Sequence, residues 1–261
     1  MIKKYIPSVI DALEKASLKI MEIYSKDFDI DFKDDKSPVT EADIASNKIL
    51  TQLISKFNIP IISEEEEKPD YDIRKNESLI WLIDPLDGTR EFIKKNDQFC
   101  ICIALIKNSK PILGFIASPT TKTILFGGKS IGSFLVPFGV KQPMNTEWKL
   151  KHPTPNHPKV LIRSNSKLTD ASYSFIKNIE KSQGEVKQLS KGSALKFFDL
   201  LSGKADYYLR LAPTMEWDIA AGQAIYETIG GEIRNIKTND ELSYNKENLT
   251  NPYFFAQLKK Q

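Results

Sequence analysis

The stretch WLIDPLDGTREF, residues 81–92, ends an apolar run on Asp84, follows it with Asp87 three positions later across Pro85 and Leu86, and then opens a helical pattern at Gly88 and Thr89. Glu64 stands where the apolar run IPIIS meets a row of glutamates, and Asp218 lies in WDIAAG. In a layered α/β protein, ligands collect beyond the carboxyl ends of strands, and Glu64, Asp84 and Asp87 all fall at such ends. Leu86 offers a backbone carbonyl, and the N–H groups of a helix beginning at Gly88 and Thr89 attract a phosphate or another anion. Carboxylates beside such a turn repel one another and the ligand unless hard cations intervene, and an oxygen-only donor set points to Mg²⁺. Two such ions roughly 4 Å apart could clamp a phosphoryl group, acidify an attacking water and neutralise the departing alkoxide. The expected reaction is metal-assisted hydrolysis of a phosphate ester.

Taken singly, each residue has a plainer explanation. The run Glu64 to Glu67 reads as a solvated loop, Asp84-Pro85 as a turn, Asp43 as a helix cap, and Asp218 as a charge favouring a helix N-terminus. Only the combination is specific.

The elements that must position these residues follow from periodicity. Val9, Leu13, Ala16, Ile20 and Ile23 recur at helical steps, with Pro7 tolerated in the first turn. After the polar stretch DFDIDFKDDKSP, a second helix begins at Thr40, with Asp43 completing a capping box and Ala42, Ala45, Ile49 and Leu53 facing inward. IPIIS and LIWLI read as strands, and FCICIALI, ILGFIAS, TILFGG and IGSFLV as a meander. The prolines at 137, 143, 153, 155 and 158 mark a boundary between an N-terminal α+β subdomain, residues 1–140, and a C-terminal α/β subdomain, residues 141–261. The second half alternates: strand KVLIRS, a helix over 169–182, strand EVKQLS, helix GSALKFFDLLSG, strand DYYLRL, helix WDIAAGQAIYETIGG, and a closing strand pair, a pattern of layered α/β architecture.

Composition excludes several classes. The formal charge is +3 in 261 residues, and the basic residues are spread along the chain, so a nucleic acid polymer is not an expected partner. No apolar run approaches the roughly 18 residues of a membrane helix, the first residues lack a signal-peptide core, and no lipidation motif is evident, so a cytoplasmic protein is expected. Cys100 and Cys102 lie two apart in a strand, on one face, and read as buried reduced thiols. His152 and His157 read as loop residues, not zinc ligands.

The ordered series SEE (63–65), DPLDGT (84–89), WD (217–218) and GG (230–231) resembles the signature of the lithium-sensitive, magnesium-dependent inositol monophosphatase superfamily. SPVTEAD, ISEEE, WLIDPLDGTREFIKKN, PILGFIASP, GSALKF and PTMEWDIAAG extend the likeness, nearly throughout, to 3'(2'),5'-bisphosphate nucleotidases of the CysQ type. The resemblance implies a five-layer αβαβα sandwich. It implies that Glu64, Asp84 and the Leu86 carbonyl hold one Mg²⁺, that Asp84, Asp87 and Asp218 hold a second, and that Glu64 and Asp43 share a third. Thr89 would then work with Glu64 or Asp43 to orient and deprotonate the attacking water, with the Gly88 and Thr89 amides receiving the phosphate.

The substrate so implied is adenosine 3',5'-bisphosphate, a small-molecule ester whose 5'-phosphate needs a second anion anchor. Lys196 and Arg210 are the candidates, with Ser193 opening the GSALKFF helix beside them. Read alone, Lys196 is a solvated helix residue and Arg210 a strand-edge charge. After the arginine of VLIRSNS, Ser164 is followed by Asn165 where similar proteins carry histidine, a departure that leaves recognition of the base open, since an amide can still hydrogen-bond a base edge. Competing expectations are an inositol or fructose-1,6-bisphosphatase-like sugar phosphatase with a different pocket, and a non-catalytic metal or nucleotide binder. A monomer or homodimer is expected.

Overall fold

The computed structural model describes residues 2–34 and 36–259. Helix α1 (Ile6–Tyr24) buries Val9, Leu13, Ala16, Ile20 and Ile23, with a proline in its first turn. A short hairpin, β1 (Ile30–Phe32) and β2 (Pro38–Thr40), leads into α2 (Glu41–Ile54). Then come β3 (Ile61–Ser63), the single turn α3 (Tyr71–Arg74), β4 (Leu79–Asp87) and the short α4 (Thr89–Ile93). β5 (Cys100–Lys107), β6 (Lys110–Ser118), β7 (Thr123–Gly128) and β8 (Gly132–Pro137) form the expected meander. The second half runs β9 (Lys159–Arg163), α5 (Asp170–Gln183), β10 (Val186–Ser190), α6 (Lys196–Leu201), β11 (Tyr207–Arg210), α7 (Glu216–Tyr226), β12 (Gly231–Asn235) and β13 (Phe254–Leu258).

Two large sheets result. One has six strands in the order β3-β4-β5-β6-β7-β8, parallel only between β3 and β4; the other has five, β10-β9-β11-β13-β12, parallel across β10, β9 and β11. Trp81, Ile83, Ile101 and Phe115 face α1 and α2, whereas Ile80, Leu82, Cys102 and Ile116 face α6 and α7. Beyond these two helices lie Ile162, Tyr208 and Ala256 of the second sheet, whose far face packs Leu161, Val186 and Leu209 against Ile176 of α5. Helix, sheet, helix, sheet, helix is the five-layer order expected. Because β4 and β5 are covered on both faces, they read as continuous apolar runs without polar alternation.

Two local readings change. The polar stretch before Pro38 contains the β1–β2 hairpin; every residue of β1 is exposed, so no hydrophobic period marks it. The inner face of α2 carries Ala42, Asp43, Ser46, Asn47, Leu50 and Ile54, while Ala45, Ile49 and Leu53 are only partly buried. Polar residues occupy that face because they bond to the strands beneath: Ser46 Oγ donates to Pro85 O at 2.7 Å and Ser63 Oγ to Asn47 Oδ1 at 2.6 Å. Among the described residues, no helix is long and apolar enough to cross a membrane.

The middle layer depends on close approach of α7 to β6. A Cβ on Gly114 would lie 2.1 Å from Ala221 O, and one on Gly222 would lie 2.0 Å from the Phe197 ring. Gly114→Ala must push α7 off the sheet and is expected to lower stability by roughly 1–3 kcal/mol. The urea midpoint measures it, and an unchanged midpoint would show that the helix gives way freely.

Candidate active site

The two aspartates of the central motif lie within β4, not past its end. Asp84 pairs with Cys102 and Asp87 with Cys100, three steps on β4 against two on β5. In a regular strand, residues an odd number apart point to opposite faces; the extra residue of this bulge returns Asp87 to the face of Asp84. Pro85 suits the bulge because it has no N–H to leave unpaired. Leu86 turns its side chain into the opposite core, and its N–H donates to Asp84 Oδ1 at 3.0 Å.

The other acids converge from separate elements. Glu64 follows β3, and its N–H donates to Ile83 O at 3.0 Å, prolonging the parallel pairing with β4. Asp218 sits in the first turn of α7, and its Oδ2 accepts from Met215 N at 2.8 Å. One oxygen each of Glu64, Asp84 and Asp218 lies within 4.8 Å of the others. Asp87 Oδ2 accepts from Ala194 N and from the Cys100 thiol at 3.7 Å. Asp43 is both a cap and a site residue. Its Oδ2 accepts from Thr40 N at 2.8 Å and Thr40 Oγ1 at 2.6 Å, while its Oδ1 accepts from Thr89 Oγ1 at 3.0 Å.

Burial dominates the electrostatics. It pushes Asp84 well above the usual carboxylate range, with Glu64, Asp87 and Asp218 adding repulsion, and it does the same to Asp218 beside Asp87 and Glu64. Asp87 is pushed up to about 6 by burial, against the pull of Lys196 and the Ala194 N–H. Burial also raises Asp43, against its bonds from Thr40. From the β1–β2 hairpin, Lys33 Nζ reaches Glu64 Oε1 at 2.9 Å and Glu65 Oε1 at 2.5 Å. Burial lowers the Lys33 pKa, but the two glutamates outweigh it and hold the ammonium above its ordinary range. Buried oxygen donors with this much unmet negative charge fit a hard divalent cation. Glu64, Asp84, Asp87, Asp218 and the Leu86 carbonyl could hold it.

Beside the acids opens a cavity of about 430 Å³. Asp87, Gly88 and Asp218 line it, and so do all five residues expected to meet the substrate: Ser164, Asn165, Ser193, Lys196 and Arg210. Gly88 has φ +102°, and a Cβ there would lie 2.9 Å from Gln98 O, so glycine is required on both counts. Lys196 is not a solvated residue: it is 3% exposed, and its Nζ donates to Lys191 O at 3.1 Å and Ser193 O at 2.6 Å. Burial lowers its pKa to about 8, against the pull of Asp87.

Ser193 does not open a helix. α6 starts at Lys196 and is shorter than GSALKFFDLLSG suggests, while Ser193 sits in a left-handed turn with φ 50°. Arg210 is tied by its Nε to Ala212 O at 3.2 Å. Asn165 Nδ2 donates to Gln98 Oε1 at 3.0 Å, which also accepts from Gly192 N at 2.7 Å. Lys33 and Gln98 were not signalled by any spacing, since their partners lie far along the chain.

Comparison with known proteins shows the chain's relatives. Residues 3–257 match the inositol monophosphatase family. The chain is 33% identical over 240 residues to the 3'(2'),5'-bisphosphate nucleotidase CysQ of Salmonella typhimurium, covering 90% of this chain and 92% of the relative. It is 32% identical over 239 residues to the CysQ of Haemophilus influenzae, covering 90% and 86%. The crystal structure of CysQ from Bacteroides thetaiotaomicron, described as a bacterial member of the inositol monophosphatase family, superposes with a TM-score of 0.85 at 36% identity, covering 97% of each chain.

The raised carboxylates give a test of cation binding. With folded pKa values above the unfolded ones, Asp84, Asp87 and Asp218 bind more protons folded than unfolded, so without divalent ions their contribution to stability declines as pH rises from about 4 past about 6. A divalent cation competes with those protons. The rise in Tm on adding Mg²⁺ is therefore expected to be larger at pH 8 than at pH 5, and an equal rise at both, read by calorimetry, would contradict this.

Proposed function

The chain belongs to the inositol monophosphatase family, and from that premise we propose that this phosphatase is a Mg²⁺-dependent 3'(2'),5'-bisphosphate nucleotidase, releasing the 3'-phosphate of adenosine 3',5'-bisphosphate to leave AMP. The observation that carries the reading is the junction of the acid cluster with a cavity whose wall holds Lys196 and Arg210, an arrangement with room for two phosphates.

In this reading Glu64, Asp84, Asp87, Asp218 and the Leu86 carbonyl bind two or three Mg²⁺. When bound, the metal supplies Lewis acidity and neutralises charge on the phosphoryl group and leaving oxygen. Thr89 donates its proton to Asp43 Oδ1, so its lone pairs are left to accept from the attacking water and fix its direction. Asp43, whose burial raises its proton affinity, serves as the base through Thr89, with Glu64 held by Lys33. The Gly88 and Thr89 amides receive the phosphate being transferred. Lys196, with a pKa near 8, stays largely protonated at neutral pH and with Arg210 anchors the 5'-phosphate. Ser164, Asn165 and Ser193 line the nucleoside side, where the Asn165 amide, oriented by Gln98, meets the base.

Turnover of adenosine 3',5'-bisphosphate, its phosphosulfate analogue, inositol 1-phosphate and fructose 1,6-bisphosphate at equal concentration is expected to rank the nucleotides first; a leading inositol or sugar phosphate would overturn the assignment. Asp87→Asn is expected to lower kcat/KM by at least about 100-fold with the fold retained, because one anionic ligand is lost. Activity equal to the parent's would reject the metal assignment. Lithium, and calcium with its looser coordination, are expected to inhibit; a dose series with no loss of rate would count against the proposed site.

A further inference from the structure

Two thiols with no part in this mechanism lie directly against the acid cluster. Cys100 and Cys102 are the chain's two cysteines, both fully buried, and they face the same side of the sheet as Asp84 and Asp87, their partners across β4 and β5. Cys100 Sγ is 3.7 Å from Asp87 Oδ2 and 4.0 Å from Cys102 Sγ, and one ligand atom of each of the three residues lies within 4.8 Å of the other two. A tetrahedral zinc with Zn–S bonds of about 2.3 Å and a Zn–O bond of about 2.0 Å holds its sulfurs about 3.8 Å apart and sulfur from oxygen about 3.5 Å. The Cys100–Asp87 and Cys100–Cys102 spacings lie within about 0.2 Å of those values, and the third pair lies within 4.8 Å.

We propose that Asp87, Cys100 and Cys102 form a three-ligand site for a thiophilic divalent cation, zinc or cadmium. The donor set separates this site from the oxygen-only one beside it: thiolate selects soft ions, and Mg²⁺ does not compete for sulfur. On binding, the two thiol protons pass to solvent and the sulfurs become ligands as thiolates. The ion shares Asp87 with the carboxylate cluster, so it withdraws that ligand from the hard-cation set. This consequence for turnover rests on the nucleotidase reading; the binding itself does not.

The test uses the full chain in excess Mg²⁺, titrated with cadmium chloride and followed by the ultraviolet thiolate-to-cadmium charge-transfer band and by calorimetry. With two cysteines in the chain, any such band reports this pair. One Cd²⁺ per chain with a clear band is expected, as is a loss of affinity of at least about tenfold in Cys102→Ser and again in Asp87→Asn. Absence of the band in the unaltered protein would overturn the proposal whatever the variants do. Unchanged affinity in Cys102→Ser, with melting curves showing it folded, would assign the ion to the carboxylates alone. A retained band with unchanged affinity in Asp87→Asn would remove the aspartate from the site. Loss of phosphatase activity in metal-free protein would leave these readouts untouched, so failure of the nucleotidase reading and failure of this site are told apart.

Discussion

Mutual repulsion among crowded carboxylates, Asp84 buried and Glu64 and Asp218 partly so, is the constraint around which the molecule is built. Two ionised oxygens 4.8 Å apart repel by about 3 kcal/mol at the effective dielectric of a protein site, and Glu64, Asp84 and Asp218 each bring an oxygen within that distance of the others. Left alone, such groups would separate or take up protons. The elements carrying them prevent separation: β3 and β4 are locked side by side by parallel pairing, and α7 is drawn against the sheet through Gly114.

A common device holds each aspartate. Asp43 accepts from the Thr40 N–H, Asp84 from Leu86, Asp87 from Ala194 and Asp218 from Met215. One oxygen is thereby tied to nearby or facing backbone, which fixes the rotamer and offsets part of the desolvation. In Asp43 the second oxygen accepts from the Thr89 hydroxyl. In Asp43 and Asp218 the cap is what aims the carboxylate.

Charge compensation comes from two sides. Lys33 reaches Glu64 and Glu65 from the hairpin, and Lys196, buried beneath the cavity wall, draws on Asp87. The cavity thus carries both signs of charge on its wall, Asp87 and Asp218 with Lys196 and Arg210, and the cations act directly on the aspartates.

Much of this was legible in the chain itself. The periodicity of α1, the capping box at Thr40 and Asp43, the meander and the strand–helix alternation are local patterns and formed in the order read, with α6 shorter than its sequence suggests. The four ordered motifs, three of them acidic, are equally local, and their likeness to one family carried the layered fold with them. Other features required the assembled molecule. The bulge that aligns Asp84 with Asp87 is a property of the pairing between β4 and β5; Lys33 meets Glu64 across 31 positions; and Lys196 is desolvated by β11 and the turn at Ser193. The sequence determined which residue types stand in which order and which segments coil or extend, because those depend on neighbours a few bonds away. Tertiary structure decided which face each carboxylate takes and how far its charge is removed from water, because facing and desolvation are set by segments distant along the chain.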